Sequence, residues 1–142
     1  MNDLKYVDIK LKARYQETDM MGIIHHSVYP VWFEAARTEL IKACGYSYSS
    51  LEKLGIMLPL ISLHTEYIKP AFYEDEITVR SRLSVLTKIR LSVSYEVFRE
   101  NDFDRIICKG NTSHVFTNKD LRPINIQKVF PEVYEAFNNS NK

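Results

Sequence analysis

Cysteine is scarce in this chain, and an excess of charge of either sign is missing. Cys44 and Cys108 are the two that occur, on different predicted elements and without the close spacing of a metal or redox pair. Two buried thiols in a reducing compartment account for them; the other use, a nucleophilic cysteine, needs a base beside it. With 19 Lys and Arg against 18 Asp and Glu the formal net charge is +1. No broad field therefore draws in nucleic acid, and each basic residue has to be judged by its neighbours. Also missing is any run near the roughly 18 apolar residues of a membrane span. Residues 1–8 lack the basic-then-apolar order of a signal peptide. These absences predict a cytoplasmic protein with no membrane span and no nucleic-acid partner. No His-x-x-x-His pair occurs, and the adjacent His25 and His26 are expected to diverge, so no metal site is predicted.

What is present is ordinary globular material. At 45% apolar and 26% charged residues, the 142-residue chain can bury one core, which predicts a single domain over 1–142. From Tyr6 to Tyr15 the residues alternate: Val7, Ile9, Leu11, Ala13 and Tyr15 on one face, Asp8, Lys10, Lys12 and Arg14 on the other. That is the period of a half-buried strand. A helix is expected from Tyr29-Pro30, because proline is tolerated in a first helical turn. Trp32, Phe33, Ala36, Leu40, Ala43 and Cys44 recur at helical spacing along one broad face, and Gly45 supplies a stop. A shorter helix follows, with Ser49 and Glu52 spaced as a capping box and Gly55 closing it.

Beyond it the chain turns to strands. Residues 56–69 read as one long strand stopped by Pro70; Ile77, Val79, Leu83 and Val85 alternate with polar residues. After a turn at Thr87-Lys88, Ile89, Leu91, Val93, Tyr95 and Val97 alternate again. Asn101-Asp102 marks another turn, and residues 105–117 form the last strand. The short connections make these antiparallel hairpins. Gly110, in mid-strand, is expected to admit a second backbone or a ligand. Residues 124–137 form an amphipathic helix if Pro131 is accommodated. One long helix with a broad apolar face needs a sheet to cover it. The predicted fold is therefore α+β: a long central helix wrapped by a curved antiparallel β-sheet, the hotdog arrangement.

The densest chemistry lies in the turn between the first strand and the long helix, where Glu17, Asp19, Gly22, His25 and His26 crowd into ten residues. Asp19 can face the start of a helix, whose free N–H groups hold developing negative charge. A carboxylate opposite such donors suits the opening of an ester or thioester, and that chemistry needs neither metal nor redox cofactor. Taken alone, however, an Asp before a helix is usually a cap or turn former.

The run Tyr15-x-Glu17-Thr18-Asp19-x-x-Gly22-Ile23-Ile24-His25-His26-x-x-Tyr29, followed by Phe33-Glu34-x-Ala36-Arg37-Thr38-Glu39, resembles the hotdog-fold acyl-CoA thioesterases. The closest branch is the 4-hydroxybenzoyl-CoA thioesterase-like family. The likeness extends through Tyr67-x-Lys69-Pro70-Ala71 and the hairpins beyond. It implies hydrolysis of acyl-CoA to free acid and CoA, with no cofactor. Asp19, three residues before Gly22, would act as nucleophile or general base. Gly22 permits the turn, and the His26 backbone N–H, seven residues after Asp19, would polarise the thioester carbonyl. The His26 imidazole either orients the carboxylate or water, or braces the loop. Tyr29 either contacts substrate or packs. Lys88 and Arg90 are the first candidates for the CoA phosphates, with Lys69, Arg82 and Arg122 behind them.

Glu17 is read as structural or solvated and His25 as a polar packing residue. Glu34 and Arg37 are read either as an exposed helix pair or as shaping the loop; His64 and His114 are packed or exposed. Met20-Met21 departs from the small residues usual after the aspartate, and two thioethers there would narrow or line the acyl pocket. The resemblance also implies a homodimer or homotetramer in which sheets join and each pocket is partly lined by a partner. The competing readings are a thioesterase for acyl carrier protein, which shares the phosphopantetheine arm, and a non-catalytic acyl-binding module. A hotdog dehydratase fits the Thr18-Asp19-x-x-Gly22 order poorly.

Overall fold

The alternating segment at the start of the chain pairs as an edge strand, and the rest of the sheet grows from it. The computed structural model describes residues 6–100 and 102–140. Strands β1 (Val7–Lys12), β2 (Leu60–Tyr67), β3 (Glu76–Leu86), β4 (Arg90–Arg99) and β5 (Ile106–Val115) form one sheet in the order β1-β3-β4-β5-β2. Every neighbouring pair is antiparallel. Four helices accompany it among the described residues: α1 (Tyr29–Ala43), α2 (Tyr48–Leu54), α3 (Ile126–Val129) and α4 (Pro131–Ser140). The hotdog fold is thus the observed one.

Helix α1 buries Tyr29, Trp32, Phe33, Ala36, Leu40 and Ile41 against the inner face of the sheet. Each large side chain removed from water contributes roughly 1.5–3 kcal/mol, which is what fastens the helix. Ala43, expected in that face, is exposed in the last turn, and Ile41 takes a core place instead. Gly110 marks the tightest approach. A Cβ there would lie 2.5 Å from the Phe33 ring and 2.7 Å from the His64 carbonyl oxygen. The neighbours that require glycine are therefore an aromatic ring of α1 as well as the adjoining strand, and no ligand is needed to explain it.

Several boundaries differ from expectation for local reasons. Tyr15 leaves the β1 face because a 3-10 turn over Tyr15–Glu17 interrupts the alternation, and its ring is exposed. The capping box sits two residues early: Ser47 Oγ accepts from Ser50 N–H at 3.0 Å, and Ser50 Oγ accepts from Ser47 N–H at 2.8 Å. Gly55 closes α2 with φ +87°. Strand β2 is shorter than 56–69; an isolated bridge joins Met57 to Thr117, and the ladder slips between Leu60 and Ser62. In β3 a second slip between Leu83 and Val85 turns Val85 outward, since an extra residue reverses the alternation. The tail forms two helices. Phe130, with φ −134° and ψ 69°, breaks the first, and Pro131 opens the second. Of the expected Asn101-Asp102 turn, Asn101 lies outside the described residues.

Candidate active site

The loop before α1 is built around one left-handed residue. Gly22 has φ +81°, which a side chain would resist, and the chain reverses there. Gly22 N–H donates to the Asp19 carbonyl at 3.0 Å, and Asp19 N–H donates to the Ile23 carbonyl at 2.9 Å. Asp19 Oδ1 accepts from Met21 N–H at 2.8 Å, and Oδ2 takes no hydrogen bond among the described residues. One oxygen thus fixes the carboxylate and the other remains free to react.

Glu17 is structural. It is buried, accepting from Trp32 Nε1 at 3.2 Å and from Arg14 through its backbone N–H at 2.8 Å and its guanidinium at 3.3 Å. Its backbone carbonyl receives His25 N–H at 2.8 Å. The loop is also stitched to the segment after β2, where Ile24 N–H donates to the Ala71 carbonyl at 2.8 Å.

The histidines do not diverge as expected. Their rings stack, with centroids 4.2 Å apart at 29°. His25 Nδ1 accepts from Ser27 N–H at 3.1 Å and lies 2.8 Å from Ser27 Oγ, so His25 caps the 3-10 turn His26–Val28. The His26 backbone N–H makes no hydrogen bond among the described residues, while its carbonyl accepts from Tyr67 Oη at 3.1 Å. An unengaged N–H at a helix entrance is an available donor to an anion.

These groups open on one cavity of about 490 Å³, whose lining includes Asp19, Met21, His26, Tyr29, Tyr67 and Lys69. Among the predicted residues, Asp19, His26 and Tyr29 are therefore brought together. Met21 lines the cavity, whereas Met20 stands fully exposed. The buried Tyr29 ring meets Trp32 and Tyr67 edge-on at 5.1 and 5.5 Å. Burial drives the Tyr29 phenol well above its ordinary pKa, so it is a neutral hydroxyl and not a base. Tyr67 was missed as a site residue, although the Tyr67-x-Lys69-Pro70-Ala71 segment contains it. Its place in that segment is the one signal the sequence offers, and nothing local marks its hydroxyl.

Lys88 and Arg90 are not at this cavity. Lys88 lies in the β3–β4 turn and Arg90 opens β4, pairing with Val115 at the end of the sheet where Leu60 meets His114. Tyr67 lies at the other end, opposite Cys108. Of the secondary candidates, Lys69 lines the cavity, and Arg82 is 3.3 Å from Glu96. Both cysteines are buried, and burial raises both thiol pKa values, Cys108 to about 12. Neither thiol has the low pKa of a nucleophile. No cluster of three or more metal-ligating residues occurs among the described residues.

Arg37 turns inward instead of pairing with Glu34. Its Nε donates to Tyr48 Oη at 2.7 Å and its Nη1 to Tyr95 Oη at 3.0 Å. Tyr95 Oη lies 2.7 Å from Thr112 Oγ1, which lies 3.0 Å from His114 Nε2; His114 Nδ1 is 3.2 Å from the Leu58 carbonyl. Guanidinium can only donate and a carbonyl can only accept, so the chain runs from Arg37 through the hydroxyls to His114 Nε2. A neutral His114 protonated at Nδ1 satisfies every partner in that chain. Burial, with the Arg37 charge adding, lowers its pKa to about 4.

The unfolded chain then binds a proton that the folded one refuses between about pH 6.5 and 4. Stability contributed by neutral His114 is full above that window and lost as pH falls through it, reaching about 2–3 kcal/mol at pH 4.5. Denaturant unfolding at pH 7 and 4.5 should show a loss of that size, reduced in His114→Gln. An equal loss in the variant would remove His114 as its source.

Residues 13–137 match the model of the thioesterase-like superfamily. The chain belongs to that superfamily. This thioesterase-like protein is 32% identical over 134 residues to a putative acyl-CoA thioesterase of Bacillus subtilis, covering 94% of this chain and 96% of that one. It is similar in structure to a DHNA-CoA thioesterase from Staphylococcus aureus, with a TM-score of 0.87 and 33% identity over 94% of this chain and 89% of that one. A 4-hydroxybenzoyl-CoA thioesterase variant has a TM-score of 0.80 at 18% identity, covering 93% of this chain and 98% of that one, a likeness of fold. The family places the thioesterase-like protein among the thioester hydrolases. No helix among the described residues is long and apolar enough to cross a membrane.

Proposed function

We propose that this protein hydrolyses acyl-CoA thioesters to a carboxylic acid and CoA, with Asp19 as the reacting carboxylate. The observation that carries the reading is the pairing, at one cavity, of a carboxylate oxygen and a backbone N–H that take no hydrogen bond among the described residues. With Asp19 as general base, Oδ2 takes a proton from water as the water oxygen bonds to the thioester carbon. The carbonyl electrons move to oxygen, where the His26 N–H stabilises them, by roughly 3 kcal/mol for one such donor. When the carbonyl re-forms, the C–S bond breaks and the thiolate leaves, recovering a proton. With Asp19 as nucleophile, Oδ2 itself bonds to the carbon, the C–S bond breaks and the thiolate leaves, and water then opens the resulting anhydride to the free acid and the Asp19 carboxylate. Ile23, Ile24, Tyr29 and Met21 supply apolar wall for an acyl group.

The protein would act as a homodimer through β2. This strand ends the sheet, and Leu60, Ile61, Leu63 and Tyr67 are exposed along it, an edge that invites a further strand. Antiparallel pairing of two such edges would bring the partner's Leu60 end to this protomer's Tyr67 end. The partner's Lys88 and the partner's Arg90 would then lie about three strand spacings, roughly 14 Å, from the edge strand beside the cavity. There they could hold the phosphates of a CoA whose arm enters the cavity.

The test is release of free CoA from short, long, branched and aromatic acyl-CoAs, including the DHNA thioester in the Staphylococcus relative's name. Turnover of at least one class by a particle of twice the protomer mass is expected. No thiol release from any member would refute the activity, and an active monomer would refute the dimer.

A further inference from the structure

We propose that Tyr67 is a positioning residue for the oxyanion donor, acting through the hydrogen bond from its hydroxyl to the His26 carbonyl. The inference rests on the thioesterase reading above. It begins with proline. His26 lies in a 3-10 turn, where Tyr29 N–H is the backbone donor within reach of its carbonyl; the α-helical donor four residues on would be Pro30, which has no N–H. The Tyr67 hydroxyl supplies a donor at 3.1 Å from another element. Among the described residues it is the one side chain outside the loop that hydrogen-bonds to the turn His26–Val28.

The geometry gives that bond leverage. Two residues before His26, the Ile24 N–H is fixed to the Ala71 carbonyl at 2.8 Å. The His26 carbonyl is fixed to Tyr67. Both anchors belong to the same five-residue segment, 67–71, and the unengaged His26 N–H lies between them along the chain. The peptide that carries the His26 N–H is bonded inside the turn, its His25 carbonyl accepting from Val28 N–H at 3.0 Å, so losing the Tyr67 bond lets the 3-10 turn shift as a unit while the loop stays attached at Ile24. An oxyanion donor works only where its direction is preset, and a misplacement of about 1 Å can cost 10²-fold. The Tyr67 ring is held in turn, edge-on to Tyr29 at 5.5 Å and to His26 at 6.4 Å. Tyr67 is also the last residue of β2, so the same hydroxyl links the free sheet edge to the oxyanion turn.

Tyr67→Phe removes the hydroxyl and keeps the ring. In the full-length protein, kcat on the best acyl-CoA should fall ten- to a hundredfold. KM should stay within twofold, with particle mass and unfolding midpoint unchanged. Amide hydrogen exchange at Ser27 and Val28 should quicken at least tenfold. A kcat within twofold of wild type, or a fall in kcat matched by loss of mass or of the unfolding midpoint, would overturn the proposal. If the wild type releases no CoA, the activity reading fails separately. The positioning claim then stands or falls on exchange alone, and unchanged exchange overturns it.

Discussion

Asp19→Asn should lower kcat for acyl-CoA hydrolysis by about a thousandfold, within the 10²–10⁴ that a positioned acid–base group supplies. The substitution is nearly isosteric and keeps the structural half of the side chain. An asparagine Oδ1 can still accept from Met21 N–H, the bond that Asp19 makes at 2.8 Å. What disappears is the free carboxylate oxygen, and with it both the base and the nucleophile. Thermal unfolding and particle mass should therefore match wild type, and KM should move little, because the apolar lining is untouched. The check is steady-state thiol release with purified variant and wild type side by side. Activity within tenfold of wild type would remove Asp19 from the chemistry.

Gly110→Ala should destabilise the fold by about 3 kcal/mol, at the upper end of typical overpacking costs. The added methyl would meet the Phe33 ring at 2.5 Å and the His64 carbonyl at 2.7 Å. Phe33 cannot easily withdraw, since it stacks on Tyr95 with centroids 4.4 Å apart and planes 9° from parallel. The His64 carbonyl is backbone of β2, so relief on that side shifts the edge strand. Urea unfolding should show a lower midpoint with the slope preserved, and a loss below 1 kcal/mol would mean the site relaxes freely. Because β2 carries Tyr67, residual activity of the folded fraction should fall too.

Periodicity made much of this fold legible. The alternation in β1, β3, β4 and the helical spacing of Trp32, Phe33, Ala36 and Leu40 are local signals, and the elements formed where those signals lie. Boundaries failed where a non-local or backbone event intervened. The alternation puts Val85 inward, because the slip after Leu83 exists only in the ladder with β4 and leaves no mark in the alternation itself. Ser49 with Glu52 matches a capping pattern, but the helix starts two residues earlier, where Ser47 and Ser50 cap each other's N–H groups.

The site divides along the same line. Asp19, Gly22 and His26 sit in one short loop, where the resemblance to the family's motif singles them out, and Tyr29 follows within a turn. Tyr67 arrives from 41 residues away, and nothing local marks its hydroxyl for the His26 carbonyl. Arg37 likewise reads in the sequence as one of a pair with Glu34, while its partners Tyr48 and Tyr95 lie 11 and 58 residues on. Charge is what marks Lys88 and Arg90 as phosphate candidates, and charge alone does not say at which end of a sheet a residue falls.

The most direct measurement is the crystal structure of Asp19→Asn with a bound acyl-CoA that wild type hydrolyses. The account predicts the thioester carbonyl oxygen within about 3 Å of the His26 N–H. The carbon should face the residue 19 side chain, with the acyl group against Tyr29. A thioester bound elsewhere, or a carbonyl turned away from His26 in this cavity, would contradict it.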